Sequence, residues 1–318
     1  MPLTFGCVLS QAIYGPTAGP VAVRTLAQSA ETLGFDTVWL ADHIVIPRQV
    51  HSSYPYDAGG ASPFDPAQPF YEPLSVLNFI AGCTERIRIG THVLIIPYRQ
   101  PVYTAKILAT LDALSGGRLI VGAGPGWLAE EFAALGLTNF AERGDVTDEY
   151  LRLFKELWTK DDPEFEGKYV QVSRIGFQPK PVQRPHPPIW IGGHSGPALR
   201  RVARLGDGWM PIGLRPPTLL QPPEMEEKIA RLRMLLREAD RAEDAVTISF
   251  TAPFVITKTP ASPRPVMHGS PEEIASDLRR YHALGVQNFN INLPGFVISE
   301  QADSMEQFAR EVVPLLSE

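Results

Sequence analysis

Three observations predict an α/β fold, a closed (β/α)8 TIM barrel. Short apolar runs alternate with helical stretches about eight times along the 318 residues. Runs such as FDTVWLA (35–41) are apolar at most positions, as a parallel strand buried on both faces requires. No shift in composition marks a linker, so 1–318 reads as one barrel domain, a length ordinary for that fold.

The elements follow in order. Residues 3–10 form a first strand, and 21–33 carry apolar side chains at helical spacing (Val23, Leu26, Ala27, Ala30, Leu33) until Gly34 ends the helix. The second strand, 35–41, delivers Asp42 and His43 at its C-terminal end. Residues 44–72 are rich in Pro, Tyr, Gly and Ser and read as a long loop, a length that usually signals function or disorder. A helix over 73–83, a strand over 88–96 and a helix over 101–114 come next. The fourth strand starts at Leu119 and runs into Gly122, Gly124 and Gly126, with Trp127 and an acidic turn (Glu130, Glu131) opening a helix. A helix covers 145–158, and within the proline-rich stretch 159–188 a small hairpin is expected at 165–172. Strands at 189–192, 208–211, 246–256 and 286–293 alternate with helices at 197–205, 225–239, 271–284 and 301–316. Ser270 and Pro271 suit the N-cap and first position of the 271–284 helix. Insertion loops are expected after strands 2, 4 and 6.

Composition narrows the function. A formal charge of −6 gives no general attraction for nucleic acid or anionic membrane, and no apolar run reaches the ~18 residues of a membrane span. MPLTFGCVLS reads directly as a strand without a basic leader, so the protein is expected in the cytoplasm. Cys7 and Cys83 supply neither a disulfide framework nor a metal cluster.

In a barrel of this kind, chemistry sits at the C-terminal strand ends. Those positions are Gln11, Asp42 and His43, 92–96, 124–127 and 192–195. Glycines 122, 124 and 126 make a sharp strand-to-helix turn or let another molecule lie close; a Rossmann dinucleotide site is rejected, because loop and helix follow where its acidic strand end should be. Gly192-Gly193-His194-Ser195-Gly196-Pro197 leads straight into a helix, which is either a phosphate site built from free amides or an ordinary Ser N-cap followed by Pro. Asp42 beside His43 is either a proton-transfer pair or a hydrogen-bonded loop histidine. A metal held by His43, His92, His194 and Asp42 is disfavoured, since the first strand lacks an H-x-H pair and neither H-E-x-x-H nor C-x-x-C occurs. A G-x-S-x-G nucleophile elbow is missing too.

Three stretches together resemble the bacterial luciferase-like family of flavin- or deazaflavin-dependent oxidoreductases: ETLGFDTVWLADHI (31–44), the run from RIRIGTHVLIIPYRQ to GAGPGWLAEEF (86–132), and PPIWIGGHSGPALRRVARLGDGWMP (187–211). The resemblance implies a tricyclic ring lying across the strand ends. Asp42 and His43 would contact it, with His43 near the reacting edge and steered by Asp42. Thr91, His92 and Val93 would form a bulge behind it, with a cis peptide at His92–Val93. Gly124, Gly126 and Trp127 would flank ring or tail, and Gly192, Gly193, His194 and Ser195 would hold the cofactor phosphate. The ADH strand end and the YPYDAGGASPFDP loop look most like an actinobacterial deazaflavin branch, which implies coenzyme F420, with FMN and oxygen as the alternative. Hydride exchange with a small organic substrate follows, with His43 as the catalytic proton donor or acceptor and a homodimer as the usual assembly. Sugar-phosphate dehydrogenases of the family carry a glutamate proton donor where this chain has Trp127, which counts against sugar-phosphate oxidation. The loop aromatics Tyr54, Tyr56, Phe64, Phe70 and Tyr71 would cover the site or form a dimer contact. A cofactor-binding protein without catalysis and a metal-dependent hydrolase are the rival classes.

Overall fold

The computed structural model describes residues 3–9, 19–213, 217–257, 263–293 and 297–316. Eight strands form the ring in chain order: β1 (Thr4–Val8), β2 (Thr37–Leu40), β3 (Arg88–Thr91), β4 (Leu119–Gly124), β5 (Ile189–Gly192), β6 (Gly208–Met210), β7 (Thr247–Pro253) and β8 (Asn288–Asn292). Neighbours pair in parallel throughout. β8 closes the ring on β1, with Thr4 opposite Asn288. The expected (β/α)8 barrel is the fold observed.

Helices cover the outside: α1 (Pro20–Thr32), α2 (Pro73–Cys83), α3 (Pro101–Leu114), α4 (Ala129–Ala134), α5 (Arg143–Thr159), α6 (Gly196–Leu205), α7 (Pro222–Glu238), α8 (Pro271–Leu284) and α9 (Ile298–Gln307). Several open on proline, whose fixed φ suits a first turn and whose missing N–H costs nothing there. Ser270 caps α8 in a capping box with Glu273. Apolar helix faces and the outward strand residues make the main core.

The barrel interior is divided. On one side Trp39, Ile120, Trp190 and Met210 form an apolar plug. On the other, Asn290 Nδ2 donates to Ser249 Oγ (2.9 Å), and Ser249 Oγ donates to Asn288 Oδ1 (2.7 Å), a buried polar chain that leaves Asn290 Oδ1 without a partner among the described residues.

Three elements break where an unbroken run was expected. The third strand does not run unbroken to residue 96: it stops at Thr91, resumes over Leu94–Ile95 and turns into a 3-10 segment at Ile96–Tyr98. The seventh breaks after Pro253, and Val255–Ile256 pairs instead with His268–Gly269 in a separate small sheet. Arg264 ties that excursion to α8 through a two-pronged contact with Asp277 (2.8 and 2.9 Å). The last helix ends at Gln307 and continues as tighter and wider turns, because fully buried Phe308 is drawn between Phe5, Phe35 and Phe254. The hairpin is where the sequence put it, with Phe165–Glu166 against Gln171–Val172. Cys7 is buried and Cys83 half-buried, both as free thiols. Among the described residues, no helix is long and apolar enough to cross a membrane, and no group of three His, Cys, Asp or Glu side chains could hold a metal.

Candidate active site

β2 ends at Leu40, and the chain leaves the barrel mouth through Asp42 and His43. The two side chains part company, as neighbours in extended backbone do. The Asp42 carboxylate is buried and is held by Arg99 through two bonds (2.7 and 2.8 Å) and by the Ile95 amide (2.8 Å). Burial pushes the Asp42 carboxyl upward, and Arg99 and the Ile95 amide oppose that. Arg99 also reaches Glu72, the N-cap of α2, at 2.9 Å. This ion-pair set fastens the segment after β3 to the end of the long loop. The expectation that Asp42 steers His43 is therefore corrected: its carboxylate is committed to Arg99 and Ile95.

The partner of His43 is Glu131 on α4, with Nδ1 to Oε2 at 2.6 Å. Glu131 is fully buried. Its other oxygen accepts from the amides of Ile44 (2.7 Å) and Val45 (3.1 Å), and the Tyr98 hydroxyl donates to Oε2 at 2.9 Å. Next to it, Glu130 accepts from the amides of His51 (2.6 Å) and Ser52 (2.9 Å), while Ser52 Oγ accepts from the Ala129 amide (3.1 Å). The two glutamates that open α4 thus hold two separate points of the 44–72 loop. The loop lies over His43: the Phe64 ring is 4.3 Å away, Phe70 5.4 Å and Trp127 6.5 Å, and Tyr54 packs on Trp127 at 5.1 Å. His43 is left only 6% exposed, so a reactant reaches it by passing these rings.

Behind this cluster the His92–Val93 peptide is cis. Thr91 is buried, its hydroxyl donating to the Gly122 carbonyl (2.7 Å), and the His92 ring Nε2 lies 2.8 Å from Thr251 Oγ1 inside the barrel. Val93 alone of the three faces the mouth, and it explains the glycines. A Cβ on Gly124 would meet Val93 Cγ2 at 2.6 Å, and one on Gly192 would meet Val93 Cγ1 at 2.9 Å. Gly126 (φ +82°) sits against Ile95 and Phe132. What these glycines admit is this chain's own bulge.

At the end of β5 the backbone turns at Gly193 (φ +83°), whose carbonyl accepts from the Trp209 indole (2.8 Å). Ser195 is the N-cap of α6, and its side chain accepts from the Ala198 amide. Ser195 and Gly196 are exposed, so the first-turn amides open to solvent. His194 is half-buried, and burial together with the nearby Lys228 charge disfavours its protonation. Of the two readings of this stretch, the structure shows the Ser cap followed by proline.

Of the residues expected to form the site, His43 meets Trp127, and Val93 meets Gly124 and Gly192. Asp42, Thr91 and His92 point into supporting contacts, and Gln11 lies outside the described residues. Sequence reasoning passed over Glu131, Tyr98 and Arg99. The available signal was Glu131 between Leu128 and Phe132, on the inward face of a short helix.

An α/β barrel with a histidine–glutamate pair under an aromatic cover at its mouth is the class that fold and site define. The chain belongs to the luciferase-like monooxygenase family, whose profile matches residues 4–267. An uncharacterised protein of Mycobacterium tuberculosis is 35% identical over 216 residues, covering 68% of this chain and 72% of that one. The F420-dependent glucose-6-phosphate dehydrogenase of Amycolatopsis mediterranei is 33% identical over 196 residues, covering 60% of this chain and 53% of that one. The FMNH2-dependent dimethylsulfone monooxygenase of Pseudomonas putida is 31% identical over 192 residues, covering 60% and 48%. Among solved structures, a long-chain alkane monooxygenase superposes with a TM-score of 0.81 at 16% identity, covering all of this chain and 91% of that one.

Proposed function

We propose that this protein is an oxidoreductase that passes a hydride between bound coenzyme F420 and a small organic substrate. The observation that carries this reading is His43, fixed by Glu131 beneath Phe64, Phe70 and Trp127, at the strand ends where barrel chemistry resides. The residues present suit a flat ring with an anionic tail. Gly193, His194 and Ser195, at the open start of α6 and near Lys228, would take the phosphate, with Gly192 below them; Trp127, Val93, Gly124 and Gly126 would flank the ring. When bound, the deazaflavin supplies the hydride chemistry. His43 then gives or takes the accompanying proton at Nε2, the nitrogen that Glu131 leaves free. Tyr54, Phe64 and Phe70 keep water from that atom.

A second reading, an FMN-dependent monooxygenase, is favoured by the Pseudomonas relative, which is almost as similar as the F420-named one. Titrating the protein with each coenzyme and following fluorescence separates the two. Tighter binding of the deazaflavin is expected; the reverse order moves the assignment to the flavin, and binding of neither removes the proposal.

A further inference from the structure

We infer that Glu131 is a positioning residue that sets the tautomer of His43: it keeps the proton on Nδ1 and turns a bare Nε2 towards the mouth.

Every contact of the Glu131 carboxylate is with a group able to donate. The Ile44 and Val45 amides have no other option, and they occupy Oε1. Tyr98 shares Oε2 with His43. Burial, and then the negative charge of Glu131, push the Tyr98 phenol far up, so it stays protonated and donates. A fully buried carboxylate surrounded in this way is an anion, an acceptor at both oxygens. A neutral imidazole 2.6 Å from it must present N–H, so Nδ1 carries the hydrogen and Nε2 the lone pair. The opposite tautomer would set two lone pairs face to face.

The same carboxylate joins the histidine to the loop that covers it. Oε1 holds the chain at residues 44–45, immediately after His43, and Glu130 holds it again at 51–52. The arrangement that closes the aromatic cover therefore also orients the ring beneath it. Its value for catalysis rests on the proton-transfer role proposed for His43 above, but the tautomer is a property of the protein alone.

The test uses the full chain without coenzyme, labelled with nitrogen-15 in histidine. Long-range proton–nitrogen correlation spectra at pH 8, where an ordinary histidine is neutral, report each ring's tautomer, and His43→Asn identifies the His43 signals. Wild-type protein is expected to show the Nδ1–H form of His43 in about tenfold or greater excess, the scale of one charge-assisted hydrogen bond. Glu131→Gln presents an amide N–H₂ to Nδ1 while its carbonyl can still accept from Ile44 and Val45. The tautomer should then reverse to Nε2–H. A folded Glu131→Gln protein with unchanged His43 tautomer overturns the inference. So does wild-type protein with Nε2 protonated, which needs no variant and decides the matter should Glu131→Gln fail to fold. Coenzyme titration plays no part in the measurement, so either proposal can fail while the other stands.

Discussion

Glu31 and Glu131 solve the same problem at opposite ends of the barrel. Each is a helix glutamate that gathers the amides of a passing loop. Glu31, near the end of α1, accepts from Glu85, Arg86 and Ile87 (2.9, 2.6 and 2.9 Å) just before β3 begins. Glu131 accepts from Ile44 and Val45 just after β2 ends, but it adds His43 and Tyr98. The first carboxylate ends on backbone alone and is half-exposed, whereas the second is fully buried and holds a titratable ring. A loop anchor becomes site architecture when one of its donors is a side chain that can exchange a proton. That difference predicts which changes will disturb chemistry and which only stability.

The largest effect is expected at His43. His43→Ala should lower turnover on the order of 10²–10⁴-fold, the usual worth of a placed proton donor or acceptor, while coenzyme affinity changes little. Steady-state kinetics beside a coenzyme titration check this. Equal losses in rate and affinity would make His43 a binding residue.

Removing the two carboxylates comes next. Glu131→Ala strands two amides, a phenol and an imidazole in a buried space and should cost about 3–5 kcal/mol. Glu31→Ala frees the amides of exposed Glu85 and Arg86, which water can reach, and that of buried Ile87, so a cost of about 1–2 kcal/mol is expected, with no change in coenzyme binding. Urea denaturation of both variants measures the contrast, and equal costs would erase it.

The barrel was legible in the sequence because it depends on local signals. Apolar runs, first-turn prolines and the Ser270 cap fixed α2, α3, α8 and β5 to the residue. His43 was legible as a polar residue at a strand end. Its partner was not, because Glu131 lies 88 residues further on and meets it only once β2, β3 and β4 stand side by side. Adjacency misled in the same way: Asp42 stands next to His43 in sequence, yet its carboxylate pairs with Arg99, 57 residues away. The glycines near residue 124 mark a point of close approach, but what approaches Gly124 is Val93 of the same chain, which no local signal announced. The break at Phe254 had no local signal beyond Pro253, since Val255 pairs with a segment thirteen residues on.

The smallest effect distinguishes the two glutamates of α4 themselves. Glu130 holds the loop at His51 and Ser52 without touching His43, so it is an anchor of the Glu31 kind placed beside the site. Its partial burial alone would raise the carboxyl, but the Ser52 side chain and the His51 and Ser52 amides outweigh that and bring it down to about 2. An unfolded glutamate titrates near 4.3, so Glu130 binds its proton more weakly in the folded protein. Its contribution to stability is therefore full above about pH 4.3 and is lost as the pH falls from there towards about 2. Glu130 is half-buried and meets amides and a hydroxyl but, among the described residues, no cation, so the gain is that of a modest hydrogen-bonded contact, about 0.5–1 kcal/mol. Glu130→Gln should melt about 1–3 °C below wild type at pH 7. The gap should hold to about pH 5 and narrow by pH 3, as wild type loses what the variant never had. Scanning calorimetry across that range reads it directly. A gap that stays constant to pH 3 would mean that Glu130 holds the loop by shape and not by charge, leaving Glu131 as the only glutamate of α4 whose ionisation matters to the cover.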